Sequence, residues 1–269
     1  MNILVAYETY LRLGIFFGLL LLLTIMEALW PQHQRHESRA KRWTANLGLS
    51  LTNSASLVAL PVLASGAALW AQQVHIGIFH VYPLPQWLEF CLTLLLLDLA
   101  IFLQHMAFHY VPWLWRIHKV HHSDLDLDAT SGVRFHPVEI IISMLYKITI
   151  VIALGADPII VILFEILLNG FSLFTHSNLF LPVRCDKVLQ WVLVTPHMHR
   201  IHHSPHQHKT NSNFGFTLSL WDRLFHQYHR TDYDSAQKPK ITLGLAEYRE
   251  APRLGILQLL FMPFRTTSR

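Results

Sequence analysis

The sequence predicts an all-α integral membrane protein, a multi-span helical bundle with a cytoplasmic, histidine-rich metal-binding cap. Four observations predict it. Of 269 residues, 52% are hydrophobic and only 14% charged. The apolar residues come in blocks that approach, at 1.5 Å per helical residue, the roughly 30 Å of a bilayer's hydrocarbon core. Lys and Arg crowd some connecting segments and avoid others, which orients the spans. Fifteen of the nineteen histidines lie between 105 and 229, in and around short polar stretches.

Taken in order, LGIFFGLLLLLTIMEALW (13–30) carries one acid, Glu27. The first basic residue is Arg12 and no small-residue cleavage site follows, so 11–30 is expected to be a retained anchor rather than a signal peptide. PQHQRHESRAKRW (31–43), with Arg35, Arg39, Lys41 and Arg42, is expected in the cytoplasm. The stretch 44–72, apolar but softened by serine, threonine and asparagine, is expected to be a second span, closing an N-terminal transmembrane hairpin over 1–86. Residues 72–86 contain no Lys or Arg and belong outside. A third span at about 87–104 begins the second unit, 87–269, and returns the chain to the cytoplasm, where Arg116, Lys119 and Arg134 agree.

After His136 the chain is apolar, breaks at GADP (155–158) and runs apolar again to Phe174. This predicts a helical hairpin that dips into the membrane and returns to the same side. Lys147 and Glu165 each stand nine positions from Ala156 at the tip, hence at similar depth, and are expected to pair because lone charges there are costly. LGILQLLFMPF (254–264), bounded by Pro252 and Pro263, is too short to span and is expected to pack on the bundle or lie in the interface.

Composition excludes several functions. Cys91 lies in an apolar run and Cys185 in a polar one, which suits neither a disulfide nor a zinc quartet. The net charge of +4 fits loops that face anionic lipid rather than nucleic acid, for which no reading motif is present.

The histidines carry the chemistry. His105 and His109 are spaced i, i+4; His118, His121 and His122 form HxxHH, and so do His199, His202 and His203. On a helix such spacings share one face, so each group aims its imidazoles at a common point. At this histidine content a chance HxxHH is expected roughly a tenth of a time, so two copies indicate a site. Imidazole suits iron, zinc, copper and nickel, and eight such nitrogens are too many for one ion and about right for two. His33, His36, His75 and His80 read as surface or interfacial residues, and His206, His208, His226 and His229 leave either role open.

Among neighbours, Asp98 lies seven residues before His105, about 10.5 Å deeper on one helical face, where it could orient a ligand from another helix or make an interhelical hydrogen bond. Asp124, Asp126 and Asp128 read as a solvated loop. Arg134, His136 and Glu139 could touch a lipid head group or back the metal ligands. A membrane zinc hydrolase is disfavoured by the absence of HExxH and the excess of histidine. A metal transporter or sequestering protein would place its ligands near mid-membrane, whereas these follow the spans.

DLAIFLQHMAFH (98–109), HKVHH (118–122), THSN (175–178), TPHMHRIHH (195–203), NSNFG (211–215) and WDRLF (221–225) resemble the fatty acid hydroxylase / sterol desaturase superfamily across roughly residues 95–265. The resemblance implies an integral-membrane oxygenase with two non-haem metals, normally two iron ions, with zinc possible on purification. Such an enzyme hydroxylates or desaturates a lipid with dioxygen and two electrons. It implies His105, His109, His118, His121, His122, His199, His202 and His203 as ligands, His176 as a further one, and Asn213 and Asp222 as supports of the last HxxHH. The chain departs from common family patterns at Phe180, where some relatives have another histidine, and at His226, where many have glycine. Met198 also stands where many have histidine, with His197 one place earlier, where it is expected to back the ligands or meet the substrate rather than bind metal. The only His-Pro, His136-Pro137, lacks the glycines of a cytochrome b5 haem motif. A separate electron donor is therefore expected, a reductase or a protein of ferredoxin or cytochrome b5 type.

Overall fold

Apolar runs without internal proline form the longest helices, and proline at the first helical position starts several others, where its missing N–H costs nothing. The computed structural model describes residues 7–35, 37–230, 232–233, 241–249 and 255–265; His36, Pro252 and Leu254 lie outside the described residues. In order come α1 (Glu8–Leu29), α2 (Arg39–Leu57), α3 (Ala64–Gln73), α4 (Ile78–Val81), α5 (Gln86–Tyr110) and α6 (Pro112–His122). A 3₁₀ turn at Ala129–Val133 leads to α7 (Pro137–Leu154) and α8 (Pro158–His176). The short helices α9 (Val183–Leu189), α10 (Pro196–His202), α11 (Gln207–Thr210), α12 (Leu220–Leu224) and α13 (Ile256–Phe261) complete the described α-helices, with further 3₁₀ turns at Ala246–Tyr248 and Met262–Phe264. The only β-contacts among the described residues are isolated bridges.

Four helices, α1, α5, α7 and α8, are long and apolar enough to cross a membrane. On α1, Leu13, Phe17, Leu21 and Ile25 recur every four residues and all point outward, as a lipid-facing stripe requires. The expected second span differs. Residues 39–73 run from the histidine end of the bundle toward the hairpin tip as two helices, interrupted over 58–63 around Pro61. Proline bars the preceding residue from continuing a helix comfortably. The first turns of α2 also carry Arg42 and Asn46, both buried in polar contacts beneath the histidines rather than facing lipid.

The hairpin forms as the sequence predicts and is long in both arms. At its tip Gly155 takes a left-handed conformation, φ +67°, and the Asp157 carboxylate caps α8 by accepting from the Ile159 N–H at 2.8 Å. The tip abuts Gly77, in the segment expected outside, so closely that a Cβ on Gly155 would meet Gly77 Cα at 3.1 Å. The expected pair is also present: Lys147 bonds Glu165 inside the bundle. Arg12 Nη1 joins it at 2.8 Å from Glu165 Oε2 and 2.7 Å from Glu8 Oε1, and the Ser65 hydroxyl donates to Glu8. Two acids and two bases thereby neutralise one another in the apolar zone. The C-terminal segment packs on the bundle: Leu259 and Met262 lie against Ala45, Leu49 and Val120.

Candidate metal centre

The ends of α5, α6 and α8, together with α10, converge at one end of the bundle. They bring nine histidines into two adjoining groups. His105, His109, His118, His122 and His202 form one and His121, His176, His199 and His203 the other, with the candidate ligand atoms of each group within 4.8 Å of one another. All nine are buried. The groups share a border where the His122 and His203 rings stack with centroids 4.4 Å apart.

Hydrogen bonds fix which nitrogen six of the nine rings turn inward. His176 Nδ1–H donates to Ser172 O at 2.7 Å, His105 Nδ1–H to Phe214 O at 2.7 Å and His202 Nδ1–H to Ser212 O at 2.8 Å. His118 Nδ1–H donates to Glu139 Oε1 at 2.7 Å. His121 Nδ1–H faces Arg134 O at 3.3 Å, and His109 Nδ1–H faces Asn211 Oδ1 at 3.3 Å. Carbonyl and carboxylate oxygens only accept, so each Nδ1 carries the proton and each Nε2 of a neutral ring is a bare lone pair.

These Nε2 atoms converge on one another and on those of His199 and His203. His176 Nε2 lies 3.0 Å from His121 Nε2, 3.0 Å from His199 Nε2 and 3.2 Å from His203 Nε2. In the other group His105 Nε2 and His118 Nε2 stand 3.1 Å apart, and the buried Nε2 atoms of His109 and His202 have no hydrogen-bond partner. Bare lone pairs at such distances repel unless a cation sits between them. Nitrogens about 2.1 Å from a common ion are separated by roughly 3.0–3.4 Å in octahedral or tetrahedral geometry, which matches. The residues present therefore fit metal ions.

The electrostatics agree. Burial, and then the neighbouring imidazoles, push His121, His122, His199 and His203 well below the usual histidine range, and burial pushes His202 down to about 3. All five are neutral at physiological pH, the ligand form. In the unfolded chain histidines titrate near 6.5, so below that pH the unfolded state takes up protons that the folded state refuses. The stability of metal-free protein is thus expected to fall as pH drops from about 6.5 toward 3, and to be insensitive to these groups above it. Thermal unfolding at pH 7.5 and 5.5 checks this; a melting temperature unchanged or higher at pH 5.5 would contradict it.

The family model for "Fatty acid hydroxylase" matches residues 90–227, which contain all nine clustered histidines. The chain belongs to the fatty acid hydroxylase family. It is 29% identical over 230 residues to ornithine lipid hydroxylase OlsE of Rhizobium tropici, covering 84% of this chain and 62% of that protein. It is 26% identical over 205 residues to alkylglycerol monooxygenase of Xenopus tropicalis, covering 74% and 43% respectively. A cholesterol 25-hydroxylase-like protein of Danio rerio is 31% identical over 139 residues, covering 51% and 53%. The chain thus spans between about two-fifths and three-fifths of the length of these relatives. No solved structure matches.

In this fatty acid hydroxylase family member the remaining predicted residues sort into three positions. Glu139 backs His118 directly. Glu139→Ala is expected to lower metal affinity or turnover about 10–100-fold, the range for losing such a partner, with Glu139→Gln milder because its carbonyl still accepts; metal titration of the three proteins checks it. Asp222 accepts from the Phe214 and Gly215 N–H groups at 2.7 and 3.0 Å, steadying the loop whose carbonyl holds His105; burial pushes its carboxyl up to about 7. Asn213, at φ +53°, donates to the carbonyls of Met198 and His229 and accepts from the His229 N–H, stitching that loop to α10.

Others lie away from the centre. Asp98 touches no histidine and makes the interhelical bond, accepting from Trp221 Nε1–H at 2.8 Å. His197 joins neither group; its Nε2 lies 3.0 Å from Gln32 Oε1 and its Nδ1 3.3 Å from Asp186 Oδ2. His136 caps α7 and bonds Leu260 O. The Arg134 guanidinium is buried against Val120 O, Asn46 and Ser123, out of reach of a lipid head group, and only its carbonyl meets a histidine. His226 takes φ +58°, which accounts for the glycine common at that place.

The aspartate loop is a correction. Asp124, Asp126 and Asp128 are buried, not solvated. Arg42 forks onto Asp124 at 2.9 and 2.8 Å and reaches Asp128 at 2.5 Å, holding Asp124 well below the usual carboxylate range despite its burial. The sequence reading also missed Glu27, whose Oε1 accepts from the Ala129 and Asn178 N–H groups at 2.8 and 2.9 Å. Arg200, fully buried, was missed as well; it donates to Ser177 O at 2.7 Å, just past His176. Gly132 was missed too. A Cβ there would meet Ser172 O at 2.5 Å, the carbonyl that holds His176.

Proposed function

We propose that the protein is a membrane-bound, dioxygen-dependent lipid hydroxylase whose nine clustered histidines hold two iron ions, five ligands on one and four on the other. The observation that carries this reading is the mutual approach of bare Nε2 atoms in two adjoining all-histidine groups at one end of an apolar bundle. Five imidazoles exceed the four positions of a tetrahedral zinc site and suit an octahedral ion, which favours iron; zinc found after purification would be a substitute. Membership of the fatty acid hydroxylase family and the names of the relatives, which are hydroxylases and a monooxygenase, support hydroxylation of a lipid.

The reaction balances as a lipid C–H, dioxygen, two electrons and two protons giving an alcohol and water. Bound iron would supply the oxidising power needed to take hydrogen from an unactivated carbon. The chain's own part is positional: Glu139 and the carbonyls of Ser172, Phe214, Ser212 and Arg134 keep the Nδ1 protons in place. Phe214 and Phe216, with ring centroids 5.6 and 5.2 Å from His105, exclude water on one side. The electrons come from a separate donor, a reductase or a protein of ferredoxin or cytochrome b5 type. The basic segment 31–43 lies at the histidine end, where Arg35 Nη2 meets Glu27 at 3.1 Å, which supports a cytoplasmic site. A carrier would hold its ligands midway along broken helices, whereas these occupy helix ends.

The test is turnover of iron-loaded protein with a chemical reductant, isotopically heavy dioxygen and extracted membrane lipids. Heavy oxygen is expected in a lipid hydroxyl with the wild-type protein and not with His121→Ala. No incorporation by iron-loaded wild-type protein into any lipid class would overturn the reading.

A further inference from the structure

The segments around α9 and α12 turn an apolar face outward. Val188, Trp191 and Leu224 are 70%, 69% and 61% exposed, and Leu189, Val192 and Leu220 are exposed beside them. They form one unit: Ser219 N–H donates to Val192 O at 3.0 Å, the Ser219 hydroxyl to Gln190 O at 2.7 Å, and Val194 N–H to Thr217 O at 2.9 Å. In water so much clustered apolar surface would be unfavourable.

The position of α12 says what covers it. Trp221 Nε1–H donates to Asp98, and its ring packs in a cluster with Phe102 and Phe214, flanked by Leu99 and Met106. Asp98 lies about 10.5 Å from the His105 level toward the hairpin tip, inside the apolar stretch of α5. The exposed side chains of α12 therefore continue the outward face that α5 presents at Leu95 and Leu103. At the edge of the patch the Arg223 guanidinium lies 4.6 Å from the Trp191 ring centroid and 3.9 Å from that of Tyr228, and Arg184 and Lys187 are exposed nearby. Aromatic rings joined to basic groups at the border of an apolar face are what a membrane–water boundary with anionic head groups selects.

We propose that α9, α12 and the residues joining each to the Leu193–Leu218 bridge form a shelf seated in the boundary between lipid head groups and acyl chains, with Val188, Trp191, Val192, Leu220 and Leu224 in the acyl layer. The shelf lies on the side of the five-histidine group, and Phe214, packed against Trp221, stands between it and His105. It thus brings the head-group layer beside the centre where a lipid carbon would react. The inference rests on the membrane reading of α5.

Single nitroxide labels test it. Cys91 and Cys185 are both free and exposed, so each is replaced by serine and one cysteine introduced by Val188→Cys, Leu224→Cys, Leu103→Cys or Gln207→Cys. Leu103 on α5 is the lipid reference and exposed Gln207 on α11 the aqueous one. In vesicles of phosphatidylcholine and phosphatidylglycerol, labels at 188 and 224 are expected to collide more with dissolved oxygen than with a water-soluble nickel chelate, as at 103. Chelate accessibility like that at 207, at either position, would overturn the shelf while leaving α5 as a span. An aqueous reading at 103 would overturn both. On protein that keeps its cysteines, Trp191→Phe is expected to reduce the fluorescence quenched by lipids brominated in their acyl chains. An unchanged quenched fraction would count against the shelf.

Discussion

His176→Ala is expected to lower the metal content from two ions per chain to one and to reduce turnover by more than about 100-fold, beyond the range for losing a mere supporting partner. Its Nε2 is the meeting point of the four-histidine group, within 3.0–3.2 Å of three other ring nitrogens. The five-histidine group keeps all its members, so its ion should remain. Elemental analysis beside a turnover assay checks both parts. A variant that retained both metals and most of its activity would remove His176 from the centre. The chain supplies the reason this residue is held so firmly: Ser172 O fixes its Nδ1, and the Ser172 hydroxyl is itself tied to Gly132 O at 2.8 Å.

Arg42→Ala is expected to destabilise the folded protein by about 3–5 kcal/mol, because it removes the guanidinium bonded to two buried carboxylates. Arg42, Asp124 and Asp128 are each no more than 3% exposed, so solvent offers little compensation. Arg42→Lys should fall between, since a single ammonium cannot reproduce the fork onto both Asp124 oxygens. Replacing Arg42, Asp124 and Asp128 together by Met, Asn and Asn should cost less than Arg42→Ala alone. Thermal unfolding in one detergent, with metal removed, measures all three; an Arg42→Ala protein as stable as the parent would refute the network.

The clustering of the histidines was legible because most of them sit on helices, where spacing reports direction. The two HxxHH groups and His105 with His109 each presented one face, and the structure brings those faces together. His176 has no such spacing partner and was reached only through the resemblance carried by THSN. The Lys147–Glu165 pair was legible for the same kind of reason, since equal distance from a turn fixes equal depth. Arg12, which completes it, lies more than 130 residues away from either, and no local pattern links them.

What stayed hidden depends on long-range or backbone contacts. Three aspartates alternating after HKVHH look like a solvated loop until Arg42, 82 residues before Asp124, is placed among them. The acceptors that orient His105, His121, His176 and His202 are main-chain carbonyls, which leave no mark on side-chain identity. Glu27 looked like an isolated acid at the end of a span, yet it ties the Ala129 turn and the Asn178 segment to α1. Thus α1 and α2, outside the matched residues 90–227, brace the loops that adjoin the clustered histidines. The interruption of the second crossing was written in Pro61, but the average apolarity of 44–72 outweighed it.

The most direct test of the account is the metal content of protein purified from iron-replete cells, by elemental analysis with Mössbauer spectroscopy. Two irons per chain, both in nitrogen-rich coordination, is the predicted result. One metal or none in folded, iron-loaded protein would contradict the two-ion centre and with it the proposed chemistry.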